Sequence, residues 1–189
     1  MEKNIKLNLQ FKYKTGMKKV ALIYWPKKGN TEEAAYKIYS KFDKGMIDIF
    51  TITDINTAEF ALYDAFIIGG STTGADNWEQ THKTRWTDFF AKISKADIKG
   101  KPFALFGLGN QVLYPYHFVD DMAFLKEMFE KSGAVLKGWW PTEGYDFQES
   151  ESVENGMFYG LALDQDQQKE LTDGRVEKWT EQVKKEFGI

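Results

Sequence analysis

The chain has 189 residues, 25 Lys and Arg against 28 Asp and Glu, and a formal net charge of −3. That length suits one domain with a substantial core, and 42% hydrophobic with 28% charged residues fits neither a disordered chain nor a membrane span. The absence of cysteine excludes disulfides, thiolate chemistry, iron–sulfur clusters and structural zinc, and His82 and His117 are too few for a histidine-based centre, so any chemistry belongs to a bound organic cofactor. No basic stripe offers itself to nucleic acid, whereas the mild acidity suits a basic protein partner. No signal peptide or lipidation motif is visible at the start, and the chain reads as cytoplasmic.

Ile5, Leu7, Leu9, Phe11 and Tyr13 alternate weakly with polar residues. Residues 1–16 read as a loosely attached, disordered extension, an added edge strand being the other reading, and the domain itself starts at Met17. Val20 to Tyr24 is an unbroken apolar run of the kind found in a strand buried on both faces of a parallel sheet. A polar turn from Trp25 to Thr31 follows and opens a helix, for which Asn30 is the expected cap with Glu33 reaching back to it. A strand, turn and helix in that order aim unpaired amides and the positive end of a helix dipole at one point, where an anion such as a phosphate can sit. Neither G-x-G-x-x-G nor G-x-x-x-x-G-K-[ST] is present, and a turn glycine without a ligand remains the alternative for Gly29.

The expected helix carries Ala35, Ile38, Tyr39 and Phe42 on its apolar face, then Met46 to Ile52 alternates as a short strand. Ala58 to Leu62 suggests a short helix and Ala65 to Gly69 a second buried strand. Strands alternating with helices in this way mean a doubly wound parallel sheet. The turn from Gly70 through Ser71, Thr72, Thr73 and Gly74 to Trp78 is long, polar and small, with an aromatic at its far end, which is the composition of a binding loop. A helix with Trp86, Phe89, Phe90 and Ile93 on one face leads to the strand Pro102 to Phe106, whose exit turn holds Gly107, Leu108, Gly109, Asn110 and Tyr114. Its glycines allow close backbone approach to a ligand, and Tyr114 offers a flat face. The three loops share the carboxyl edge of one sheet, where open α/β sheets bind their ligands. Phe118 to Ser132 reads as a helix stopped by Gly133, and Val135 to Trp139 as the start of a last strand. Pro141 to Asn155 reads as loop, Phe158 to Leu163 resumes the strand, and a final amphipathic helix runs from Thr172.

The segments from Gly138 to Phe147 and from Asn155 to Asp164 resemble the split last strand and inserted loop of long-chain flavodoxins, and Leu171 to Arg175 and Glu186 to Ile189 resemble that family's ending. The resemblance covers about Met17 to the C-terminus. It implies a doubly wound, three-layer α/β sandwich with a five-stranded parallel sheet in order 2-1-3-4-5, a topology for which flavodoxin itself is the type example, and noncovalently bound FMN. Carried over to this chain, Gly29, Asn30 and Thr31 match the end of the phosphate loop. Pro26, Lys27 and Lys28 stand where hydroxyl residues usually open it, and lysine charge offsets the donors so lost. Ser71, Thr72, Thr73 and Gly74 match the first ring loop, with Trp78 the candidate to stack on the ring or, alternatively, to anchor the next helix. Leu108, Gly109, Asn110 and Tyr114 match the second ring loop, with Asn110 where aspartate is common, and Asp166 matches a position near the ribityl chain.

The resemblance implies a monomeric, low-potential carrier with no catalytic residue of its own. Its partners would be a ferredoxin/flavodoxin-NADP reductase or a flavodoxin-dependent oxidoreductase. Two other readings stay open at this point. One is a flavodoxin-fold binding or regulatory module with weakened or lost FMN binding, motivated by the altered phosphate loop. The other is an FMN-dependent NAD(P)H:quinone reductase, for which no nicotinamide-binding residues are visible.

Overall fold

The computed structural model describes residues 18–71, 79–94 and 96–189. The N-terminal extension, and Thr72, Thr73, Gly74 and Trp78 of the first ring loop, lie outside them. Five positions of parallel strand form the sheet in the order β2-β1-β3-β4-β5: β1 Val20–Tyr24, β2 Ile47–Thr51, β3 Ala65–Ser71, β4 Pro102–Leu108 and β5 Val135–Lys137. The fifth position is split as expected. β5 pairs with Pro102 to Ala104 of β4, and a later strand, β9 Leu161–Leu163, pairs with Phe106 to Leu108.

Each central strand feeds two cores because its side chains alternate between faces. In β1, Ala21 and Ile23 join a phenylalanine-rich core with helix α2 (Glu79–Ile93) and helix α3 (Asp121–Lys131). Val20, Leu22 and Tyr24 join the opposite core with helix α1 (Gly29–Tyr39) and helix α4 (Thr172–Phe187). The result is the three-layer sandwich.

Several local expectations are corrected. Pro141 to Asn155 is not all loop: β6 (Trp140–Pro141), β7 (Val153–Glu154) and β8 (Met157–Phe158) make a small antiparallel sheet. Asn155 and Gly156, at φ 52 and 75, join β7 to β8, which is the two-residue hairpin turn that Asn-Gly favours. Phe158 therefore belongs to that sheet, and the main sheet resumes only at Leu161. Helix α3 starts at Asp121, not Phe118, because Val119 sits at φ 54 and cannot continue a right-handed helix. Tyr39 is exposed instead of lining the apolar face of α1.

Candidate functional site

The turn after β1 is anchored where the Trp25 amide donates to Gly69 O at 3.1 Å. Beyond Pro26 the two lysines part. Lys27 Nζ lies 3.0 Å from Asp54 Oδ2, and Asp54 also accepts from Thr51 Oγ1 at 2.6 Å. The Thr51 hydroxyl and then the Lys27 ammonium hold the Asp54 carboxyl below its ordinary range. Lys28 takes φ 70 and ψ 162, a conformation that only glycine adopts freely, and Gly29 follows at φ 72. These two residues swing the chain into α1 two residues earlier than the sequence suggests. Lys28 thus occupies the N-cap without a side-chain cap, and Asn30 lies inside the first turn. Glu33 reaches forward to Lys37 at 3.8 Å, while Glu32 accepts from the buried Tyr24 hydroxyl at 2.6 Å. Burial, then the Glu32 carboxylate, pushes the Tyr24 phenol well above its ordinary range.

The loop after β4 is held from beneath by the turn after β9. Asp164, fully buried, accepts from the amides of Gln111, Asp166 and Gln167 at 3.0, 3.0 and 2.9 Å. Gly109 N donates to Leu163 O at 3.0 Å, and a Cβ there would sit 2.9 Å from the Phe118 ring. Asn110 Nδ2 donates to Asp166 Oδ2 at 3.0 Å while its Oδ1 accepts from Val112 N and Leu113 N. The insertion grips the same loop: Gln111 Oε1 accepts from Asp146 N at 2.5 Å, and Pro115 O accepts from Gln148 N and Glu149 N. A rigid base of this kind leaves the tip, Val112 to Tyr114, exposed to solvent.

Between these turns lies a cleft of about 310 Å³ at the carboxyl edge of β1, β3 and β4. Lys28 and the first residues of α1, Gly29, Asn30 and Thr31, line it beside β1, and Ser71 lines it from the end of β3. Leu108, Gly109, Asn110 and Tyr114 come from the end of β4 and its turn, and Asp166 from the turn after β9. All the predicted site residues within the described part of the chain meet here except Lys27, which is turned to Asp54. Pro26 and Gln165 also line it and were not anticipated. Only the position of Gln165 between Asp164 and Asp166 in a turn after a strand hinted at it.

The donor set fits a phosphorylated planar molecule. The N-terminus of α1 and the Lys28 ammonium favour an anion, and Tyr114, 38% exposed, presents an unpacked aromatic face. Gln165 Nε2 is buried with no hydrogen-bond partner among the described residues. Among the described residues no group of three or more His, Asp or Glu gathers to hold a metal, and no helix is long and apolar enough to cross a membrane. His117 instead pairs with Asp120 at 3.0 Å on the surface.

Residues 22–179 match the family model for flavodoxin. The chain is 40% identical over 178 residues to the flavodoxin of Trichodesmium erythraeum, covering 92% of this chain and all of that one. It is 38% identical over 169 residues to the flavodoxin of Synechocystis, covering 89% and 97%. Its fold is similar to the crystal structure of Fusobacterium nucleatum flavodoxin bound to flavin mononucleotide, with a TM-score of 0.78, 28% identity, and coverage of 90% of this chain and 99% of that one.

Proposed function

The chain belongs to the flavodoxin family of FMN-binding electron carriers, and from that premise we propose how this cleft holds the cofactor and what it serves. FMN, when bound, supplies one-electron redox chemistry; the protein is a carrier and not an enzyme, and its residues bind, orient and shield. Lys28 and the first turn of α1, with Asn30 and Thr31, hold the phosphate, and Ser71 borders the ring on one side. Tyr114 stacks on the other side, and Leu108, Gly109 and Asn110 present backbone to the ring edge. Asp166 lies by the ribityl chain. The observation that carries this reading is that the carboxyl ends of four strands, β1, β3, β4 and β9, converge on one cleft lined by Lys28, the start of α1 and the exposed ring of Tyr114. Replacing Tyr114 by Ala then weakens FMN binding by about 1–2 kcal/mol, the scale of one aromatic stacking contact.

The partners are redox proteins, and we propose a ferredoxin/flavodoxin-NADP reductase or a flavodoxin-dependent oxidoreductase in the cytoplasm. Support comes from charge: residues 138–168 contain Glu143, Asp146, Glu149, Glu151, Glu154, Asp164 and Asp166 and no Lys or Arg. The first five of these are exposed, on the segment that grips the loop carrying exposed Val112, Leu113 and Tyr116. An apolar tip ringed by acids suits a basic partner surface and predicts electron-transfer rates that fall as salt rises. The first test is an absorbance spectrum of the purified protein followed by titration of the apo form with FMN. Stoichiometric binding with quenched fluorescence is expected; a colourless protein that ignores micromolar FMN overturns the proposal.

A further inference from the structure

We infer that Gln111 is a positioning residue for the flavin: its buried side chain ties the insertion to the second ring loop and so fixes the place from which Tyr114 meets the cofactor. The inference rests on the FMN reading above and deepens it. Gln111 follows Asn110 directly, is 3% exposed, and is not among the residues that line the cleft. It therefore acts on the site through its neighbours.

This one residue joins three segments of the chain. Its amide donates to Asp164 Oδ2 at 3.0 Å in the turn after β9, and its Oε1 accepts from Asp146 N at 2.5 Å in the insertion. Four residues on, Pro115 O accepts from Gln148 N and Glu149 N at 2.7 and 2.9 Å. The stretch that carries Tyr114 is thus held by the insertion at both ends. At Pro115 the tie is main chain on both sides, so Gln111 is the end that a side chain supplies. Packing does little for the residues between, since Val112, Leu113 and Tyr114 are 62, 68 and 38% exposed. Asn110 closes the turn by accepting from Val112 N and Leu113 N with its Oδ1 and from Tyr114 N with its carbonyl. Those bonds set the shape of the tip, whereas the ties to the insertion set where it stands. A loop held in place before the ligand arrives loses less freedom on binding, and the saving is read as affinity.

The test is Gln111→Met, similar in size but without the amide oxygen, read by FMN titration, by flavin fluorescence at saturation and by melting of the apo form. FMN should bind about tenfold more weakly, and the bound flavin should fluoresce more than in the unmodified protein, because Tyr114 no longer stacks squarely on the ring. Gln111→Glu keeps an acceptor oxygen at the same reach and should restore the quenching that Gln111→Met loses. A merely structural amide would lower the apo melting temperature and nothing else. Affinity or quenching left unchanged in Gln111→Met, at a temperature where its apo form is folded, therefore overturns the inference. So does Gln111→Glu that quenches no better than Gln111→Met. Should Gln111→Met not fold, Gln111→Asn, whose amide is one methylene shorter, takes its place with the same outcomes. Failure of the premise looks different, because the unmodified protein would then not bind FMN at all.

Discussion

Lys27 Nζ sits 3.0 Å from Asp54 Oδ2 while the adjacent Lys28 lines the cleft at φ 70. Two lysines that look equivalent in sequence therefore do different work. The Lys27 pair is about half exposed on both sides and contributes at most about 1 kcal/mol, so Lys27→Ala should leave FMN affinity nearly unchanged. Lys28→Ala should weaken FMN about tenfold, the scale of one lost charge near a phosphate at an effective dielectric of ~20–40, with a shallower dependence on salt. Lys28→Gly should lose the same affinity while stabilising the apo form by about 1 kcal/mol, because glycine adopts φ 70 without the Cβ penalty. Fluorescence titration and apo melting of the three variants check this; equal effects of Lys27→Ala and Lys28→Ala would refute the division.

The same turn shows where sequence reading reaches its limit. The strand Val20 to Tyr24 was legible because continuous burial leaves a continuous apolar run, and Thr172 to Phe187 because Val176, Trp179, Val183 and Phe187 recur at helical spacing. The start of α1 was not legible, since a lysine at positive φ violates the local preference from which a cap is inferred, and Asn30 looked the better cap. The hairpin at Asn155-Gly156 did carry its signal. It was missed because strands of two residues show no alternation. For the cleft, the described residues named by chemical type in the loops line it apart from Lys27, whereas nothing in the chemistry of Gln165 marks it and only the folded turn after β9 brings it there.

Asn110 and Asp166 give a second prediction. In Asn110→Asp the Val112 and Leu113 amides keep their acceptor, but a carboxylate now faces Asp166 at the 3.0 Å now spanned by a hydrogen bond. Like charges so close raise a carboxyl pKa in the folded state above its unfolded value near 4. The folded variant then binds more protons than the unfolded chain, so its stability falls as pH rises past 4. Thermal melts should show a loss of about 1–2 kcal/mol at pH 7, shrinking toward pH 4. A second carboxylate, once ionised, also opposes reduction of the bound flavin, by about 0.8 kcal/mol at ~10 Å and a dielectric of ~40, and lowers its potential. An equal loss at both pH values, or a raised potential, would count against the pairing.

Gly160 separates β8 from β9, and a Cβ there would lie 2.1 Å from Leu105 O in the middle of β4. The obstacle is backbone in a central strand, so it cannot rotate away. Gly160→Ala should destabilise the protein by about 3 kcal/mol, the upper range for overpacking, which lowers the melting temperature by roughly 6–12 °C for a chain of this size. Since Asp164 follows β9 directly and holds the Gln111 amide, FMN affinity should fall as well. A variant with unchanged melting would show that the split strand can shift without cost.

Tyr145 ties the insertion to the main sheet: its hydroxyl donates to Ala162 O at 2.6 Å and accepts from Trp140 Nε1 at 3.0 Å, with the Arg175 guanidinium 3.9 Å over its ring. Burial pushes its phenol up to about 12, against the opposing pull of Arg175 and the Trp140 N–H. An unfolded tyrosine ionises near 10, so the unfolded chain releases its proton first as pH rises. The stability this group contributes is complete below pH 10 and is lost between about 10 and 12. Tyr145→Phe should be less stable at pH 7 by about 1–2 kcal/mol, since Ala162 O loses its donor and Trp140 Nε1 its acceptor. Its stability should also fall less steeply above pH 10, although not flatly, because burial raises Tyr24 and Tyr63 in the same direction. Denaturant melts of both proteins at pH 8, 10 and 11 measure the two slopes. If they are equal, the Tyr145 phenol is not shielded, and the insertion is held to the sheet by packing alone.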